Sequence, residues 1–185
     1  MRILPIAIAV AVTSSILIST FAIGDDDDRK FSRIGESSLD VAPVNNPLYK
    51  EECSGCHMAY QPGFLPARSW EKLMLNLDNH FDENAELDED TQQQITQYLV
   101  ENAADQANYK RSKAMTRSLS DTDTPLRIST TRYFLRKHDD LPRRVVQDNP
   151  DVKSYSRCEV CHTKADSGSY NEHQVRIPGY GRWDD

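Results

Sequence analysis

Cysteine is scarce in this chain, and none of it is spare. Only four cysteines occur among 185 residues. All four fall in two short stretches, Cys53-Ser54-Gly55-Cys56-His57 and Cys158-Glu159-Val160-Cys161-His162. No cysteine is left over for a structural disulfide, a catalytic thiol or an extra metal ligand. Apolar residues are also few, at 38%, so the chain is poorly equipped to build a core from side chains alone. Beyond the N-terminus, no segment is apolar enough to span a bilayer. No internal repeat links the halves apart from the two stretches themselves, and two different folds are expected.

Both stretches read C-x-x-C-H, the attachment signature of a c-type haem. Two thiols about one helical turn apart can add across the two vinyl groups of one porphyrin. The histidine directly after them then offers its imidazole to the iron from the proximal side. Paired C-x-x-C motifs could instead form a four-cysteine zinc site or a redox dithiol. Neither alternative needs a histidine directly after the second cysteine, and here both motifs have one. Two covalent haems c are therefore expected, held by Cys53 and Cys56 and by Cys158 and Cys161, with His57 and His162 as proximal ligands. Haem would also supply much of the missing apolar core.

The N-terminus has the pattern of an export signal. Met1-Arg2 gives a positive start, Ile3 to Ile18 is mostly apolar, and small residues near Ala22 and Gly24 suit cleavage. An uncleaved anchor is the rival, since Ile3 to Gly24 could span a bilayer. Either way the haem domains are expected outside the cytoplasmic membrane, in the periplasm. Residues 25–46, opening on four aspartates, read as a flexible leader.

Residues 47–107 read as the first haem domain. Asn46-Pro47 starts a helix carrying the first motif, and Pro62-Gly63 and Pro66 break the helix after Tyr60. Trp70, Leu73, Met74 and Leu77 recur at helical spacing, with His80 on the same face. Asp88 is placed to cap a last helix whose buried stripe is Ile95, Tyr98 and Leu99. Haem helix, histidine, loop, final helix is the order of a class I cytochrome c, with histidine in place of the usual methionine. Residues 108–125 read as a basic linker. In the second haem domain, residues 126–185, a helix capped by Ser129 runs through Tyr133 and Phe134 to His138, and Pro142 stops it. The tail after Ser167 should wrap the second haem with little regular structure. The fold class is thus mainly α: a class I-like N-terminal haem domain plus a smaller, irregular helical one.

Five histidines are present. With His57 and His162 proximal, two six-coordinate irons need two more ligands. His80 is chosen for the first haem and His138 for the second, with His173 competing for the latter. Met58 adjoins His57 and cannot reach the opposite face of the same haem; Met74 and Met115 remain as alternatives. Filling both axial positions with histidine disfavours gas binding and lowers the potential relative to methionine ligation.

The run Leu65-Pro66-Ala67-Arg68-Ser69-Trp70, then His80-Phe81, Ala85, Leu87-Asp88 and Tyr98-Leu99, resembles the bacterial dihaem cytochrome c family known as DHC. Pro125-Leu126-Arg127-Ile128, Arg136-Lys137-His138, the second haem motif and Ile177-Pro178 carry the resemblance onward. It implies a small exported electron carrier with two bis-histidine haems, a class I-like first domain and a distinct second one. It implies His80 and His138 as distal ligands, and redox partners that include a membrane cytochrome b and a small oxygen-binding monohaem cytochrome. His173 lies outside the matching pieces.

The expected function is electron transfer, without bond-making on a substrate. A dihaem enzyme, such as a peroxidase or sulfur-compound dehydrogenase, is the alternative. Peroxidases are longer and need an accessible iron, and thiosulfate dehydrogenases use a cysteine ligand that this chain cannot spare. A gas sensor would need a vacant or easily displaced ligand. Charge is also split. Asp25 to Tyr109 holds 18 acidic and 6 basic residues, and Lys110 to Asp185 holds 11 acidic and 15 basic. Such a split suggests electrostatic docking faces.

Overall fold

A computed structural model describes residues 39–183. The expected signal segment, 1–24, and the first part of the leader lie outside the described residues. Among the described residues six α-helices form the frame: α1 (Pro47–Cys53), α2 (Ala67–Met74), α3 (Glu89–Glu101), α4 (Lys110–Arg117), α5 (Arg132–Lys137) and α6 (Cys158–Cys161). Short 3₁₀ turns join them, and a hairpin of β1 (Arg176–Ile177) and β2 (Gly181–Arg182) closes the tail. No helix among the described residues is long and apolar enough to cross a membrane.

The first half obeys its local signals closely. The Asn46 side chain accepts a hydrogen bond from the Tyr49 amide, and Pro47 fills the first turn, where a missing N–H costs nothing. Helix α1 ends at Cys53, so the rest of the first haem motif lies in the turn beyond it. The Asp88 carboxylate accepts from the Thr91 amide and caps α3. Helices α2 and α3 pack on each other around Leu65, Trp70, Met74, Ile95 and Leu99. The expected helix from Ala67 to Asn79 is interrupted after Met74 and resumes as a 3₁₀ turn over Leu77–Asn79. Asn76 turns back on Lys72 there, its side-chain amide donating to the Lys72 carbonyl.

Elsewhere three features differ from expectation. The leader is not free up to residue 46, because Val41 is fully buried and Val44 nearly so. The amides of Asp40 and Val41 both donate to the Gly168 carbonyl, at 3.0 and 3.2 Å. Gly168 has φ +76°, and a Cβ on it would collide with the Val41 carbonyl, so only glycine fits this crossing. Secondly, the expected linker holds helix α4, with Ser112 and Met115 buried. A side chain at Gly63 would strike Ser112, so α4 sits close against the turn after the first haem motif. Thirdly, Thr131 rather than Ser129 caps α5, accepting from the Phe134 amide at 3.3 Å. Ser129 lies in a preceding 3₁₀ turn, Ile128–Thr130.

The described residues, 39–183, fall within one compact unit. A second apolar cluster mixes both halves, with Val41, Phe64 and Ala104 beside Met115, Tyr133, Ala165 and Tyr170. A third, of Val145, Val146, Val152 and Ile177, lies wholly in the second half.

Candidate haem sites

The structure pairs the four selected histidines two by two. The His57 and His80 rings have centroids 6.2 Å apart, and so do those of His138 and His162. The separation has a simple meaning. Metal–imidazole bonds of about 2 Å on each side of one ion, plus roughly 1 Å from each bonding nitrogen to its ring centre, place the centroids about 6 Å apart. Each pair is thus spaced to hold one iron between two imidazoles. His173 is exposed and only borders the second site.

Hydrogen bonds set the usable nitrogen. His57 Nδ1 lies 2.7 Å from the Met58 carbonyl, and His138 Nδ1 lies 2.9 Å from the Phe134 carbonyl. A carbonyl can only accept, so each Nδ1 carries the proton and each Nε2 keeps its lone pair for a metal. The remaining two, His80 Nδ1 and His162 Nδ1, are buried and have no hydrogen-bond partner. Burial pushes the His162 imidazole down to about 4, with His138 and Arg111 adding to the effect. His80 is also lowered, by burial first and then by His57 and Arg127. Both environments favour neutral imidazole, the form that binds iron.

His80 stands at a strained turn. Its amide donates to the Glu83 carbonyl at 2.8 Å, and Phe81 and Asp82 between them have φ +59° and +77°. A left-handed conformation is costly for a phenylalanine. Two contacts hold it: the Phe81 ring lies 4.8 Å from His80, and the Arg127 guanidinium sits 3.8 Å above its face. In the second site the Phe134 ring stacks on His138 at 3.9 Å and 13°. One difference separates the sites. The His57 and His80 planes are inclined by 29°, those of His138 and His162 by 79°.

The cysteines sit beside their histidines but do not gather with one another. Cys53 packs on the first apolar cluster, Cys158 on the second and Cys161 on the third. Among the described residues no group of three or more His, Cys, Asp or Glu side chains is arranged to hold a bare metal ion. A cavity of about 270 Å³ opens beside the second motif, walled by His138, His162, Cys158, Cys161, Phe134 and Tyr155 among others. Met115 also borders it, while Met74 is buried in the first cluster.

Several residues at these sites carry no motif. Tyr60 stacks on His57 at 4.7 Å, and its hydroxyl donates to the Ser156 carbonyl at 2.6 Å, two residues before Cys158. Gln61 is fully buried; its amide donates to the Ala165 carbonyl at 2.6 Å, and its carbonyl accepts from the Tyr170 hydroxyl at 2.7 Å. The Tyr170 ring lies 5.1 Å from His162. Arg111 forms an ion pair with Asp40 at 3.1 Å and donates to the Tyr133 hydroxyl and the Tyr170 carbonyl. Asp40 in turn accepts from the Tyr170 amide at 2.7 Å. Sequence patterning could not have found these, since each works through a partner more than 20 residues away.

Residues 49–170 match the family model for dihaem cytochrome c, DHC. That span covers both haem motifs and well over half of the chain. The chain belongs to the DHC family of dihaem cytochromes c. Two crystallised dihaem cytochromes are similar to it. One, from Shewanella baltica OS155, is 42% identical and has a TM-score of 0.63, the match covering 75% of this chain and 98% of that one. The other, from Rhodobacter sphaeroides, is 47% identical, also at 0.63, covering 70% and 100%. No curated protein matches. As a DHC cytochrome the chain carries two covalent haems c, for which Cys53 with Cys56 and Cys158 with Cys161 are the fitting anchors. Its chemistry is haem-based electron transfer.

Proposed function

We propose that this dihaem cytochrome is a periplasmic electron carrier in which both irons are bis-histidine ligated, the first by His57 and His80 and the second by His138 and His162. The observation that carries the reading is the pair of 6.2 Å imidazole spacings. With both axial positions filled by side chains fixed by ring contacts and, for His57 and His138, by hydrogen bonds, no coordination site would be offered to oxygen, peroxide or a sulfur substrate. The protein's contribution is to fix axial ligands, bury the cofactors and present docking charge. The order of first motif, His80 and α3 supports a class I-like first half. The N-terminal charge and apolar run support export.

Each haem would pass one electron at a time to redox proteins. A membrane cytochrome b and a small oxygen-binding monohaem cytochrome are the partners proposed by family resemblance. The test is exposure of the fully reduced protein to carbon monoxide at neutral pH. Unchanged low-spin spectra are expected from both haems. Stoichiometric binding at either would favour the enzyme or sensor alternative.

A further inference from the structure

We propose that the outer face of α5 is the docking surface through which the second haem exchanges electrons, and that its partner is a redox protein with an acidic surface. The inference rests on the carrier reading above and adds the place and the chemistry of the encounter.

Helix α5 turns Tyr133 inward, where it is buried, and leaves Arg132, Leu135, Arg136 and Lys137 exposed. Arg132, Leu135 and Arg136 are three and four residues apart and share one face. Leu135 keeps 55% of its surface exposed, an apolar spot on the helix face that it shares with Arg132 and Arg136, and the Arg136 guanidinium lies 5.8 Å from the Tyr133 ring centre. His138 closes the same helix, its amide donating to the Leu135 carbonyl at 3.2 Å. The exposed leucine is therefore one turn from an imidazole of the second site, and Lys137 borders that site's cavity. An electron-transfer partner must come close to the cofactor yet leave quickly. A small apolar contact ringed by charge of one sign meets both needs.

The charge around this spot is one-sided. From Arg127 to Arg144 there are six basic and two acidic residues, Asp139 and Asp140, and all eight are exposed. Among the described residues Leu75 is also open, at 77%, and it lies in the acidic half of the chain, near Glu71, Lys72 and Asp78 in sequence. The α5 surface thus fits an anionic partner.

The test uses the intact holoprotein and reduced flavodoxin, an acidic one-electron donor, with reduction rates measured across ionic strength. Replacing Arg132, Arg136 and Lys137 together by glutamate should slow reduction about tenfold at low salt and flatten its salt dependence. Replacing Lys110, Lys113 and Arg117 by glutamate makes the same charge change on exposed positions of α4 and should slow it about threefold or less. Leu135→Ser should lower the rate at every salt concentration without changing the slope. Arg136→Glu alone, expected to slow the reaction about twofold to fourfold, serves if the triple variant does not fold. Equal slowing by both triple variants, or none by the α5 set, overturns the proposal. A small neutral donor should reduce every variant at the wild-type rate. Wild-type protein that takes electrons from neither donor would defeat the carrier reading instead.

Discussion

Gln61 offers a stringent test of the claim that the two haem regions form one structure. Its amide and carbonyl hydrogen-bond to Ala165 and to Tyr170, both over a hundred residues away. Gln61→Leu keeps the volume and removes both bonds, leaving the Tyr170 hydroxyl buried without a partner, while the Ala165 carbonyl keeps the Gly168 amide. An orphaned group of this kind costs about 1–3 kcal/mol. The lost bond to Ala165 adds to this and the extra apolar surface of leucine returns part of it, so a net loss of about 1–2 kcal/mol is expected. Tyr170→Phe orphans only the Gln61 carbonyl and should cost about 1–2 kcal/mol. In the double variant the missing hydroxyl no longer needs a partner, so the two losses should not add, falling short of their sum by about 1 kcal/mol or more. Guanidinium denaturation of the holoprotein, monitored by Soret absorbance and far-UV circular dichroism, measures these values. Because Tyr170 packs on His162, the electron paramagnetic resonance signal of the second haem should shift while that of the first stays put. A Gln61→Leu loss below about 0.5 kcal/mol, or strict additivity, would refute the reasoning.

Other expectations concern the sites themselves. His138→Ala should make the second haem high-spin or ligand-binding and raise its potential, whereas His173→Ala should leave the spectrum unchanged; the reverse result would move the ligand to the tail. Near-perpendicular imidazole planes leave two iron d orbitals nearly degenerate. The oxidised protein should therefore show two distinct low-spin resonance signals, the second haem giving the larger maximum g value. Thr131→Ala removes the α5 cap and should cost about 1 kcal/mol in chemical denaturation.

Much of the site was legible because covalent haem attachment demands a rigid local pattern. C-x-x-C-H marks both anchors and both proposed proximal histidines without any tertiary information. His80 was legible as a histidine on the apolar face of a helical stripe, and Asp88 as a cap with acidic residues after it. The misreadings share one cause. Asp40, Ser112 and Gly168 are small or polar residues covered through hydrogen bonds or close approach of another segment rather than by apolar area. Hydrophobic periodicity is blind to such burial, so 39–46 read as part of a leader and 110–117 as part of a linker. Helix α4 has only Ala114 and Met115 as apolar residues, too few for any stripe. The N-cap of α5 was misplaced because Ser129 and Thr131 are both competent caps. The choice fell to a 3₁₀ turn at Ile128–Thr130, which sequence does not announce.

The two sites are consequently held in different ways. The first lies against the packed apolar faces of α2 and α3, with Arg127 over Phe81 as its tie to the second half. The second has only a six-residue helix and a four-residue one, neither able to persist alone in water. Its order comes from elsewhere: Asp40 and Val41 against Gly168, Arg111 against Asp40 and Tyr170, Gln61 against Ala165 and Tyr170. Every one of these ties begins in the segment before the first motif, in the turn after it, or in α4. The second haem region is therefore completed by residues outside it, and the short helices there suffice because they inherit a frame. A carrier that must pass electrons between two cofactors gains from this arrangement. A shared frame fixes the spacing between the sites, and independent domains on a flexible linker would let it vary.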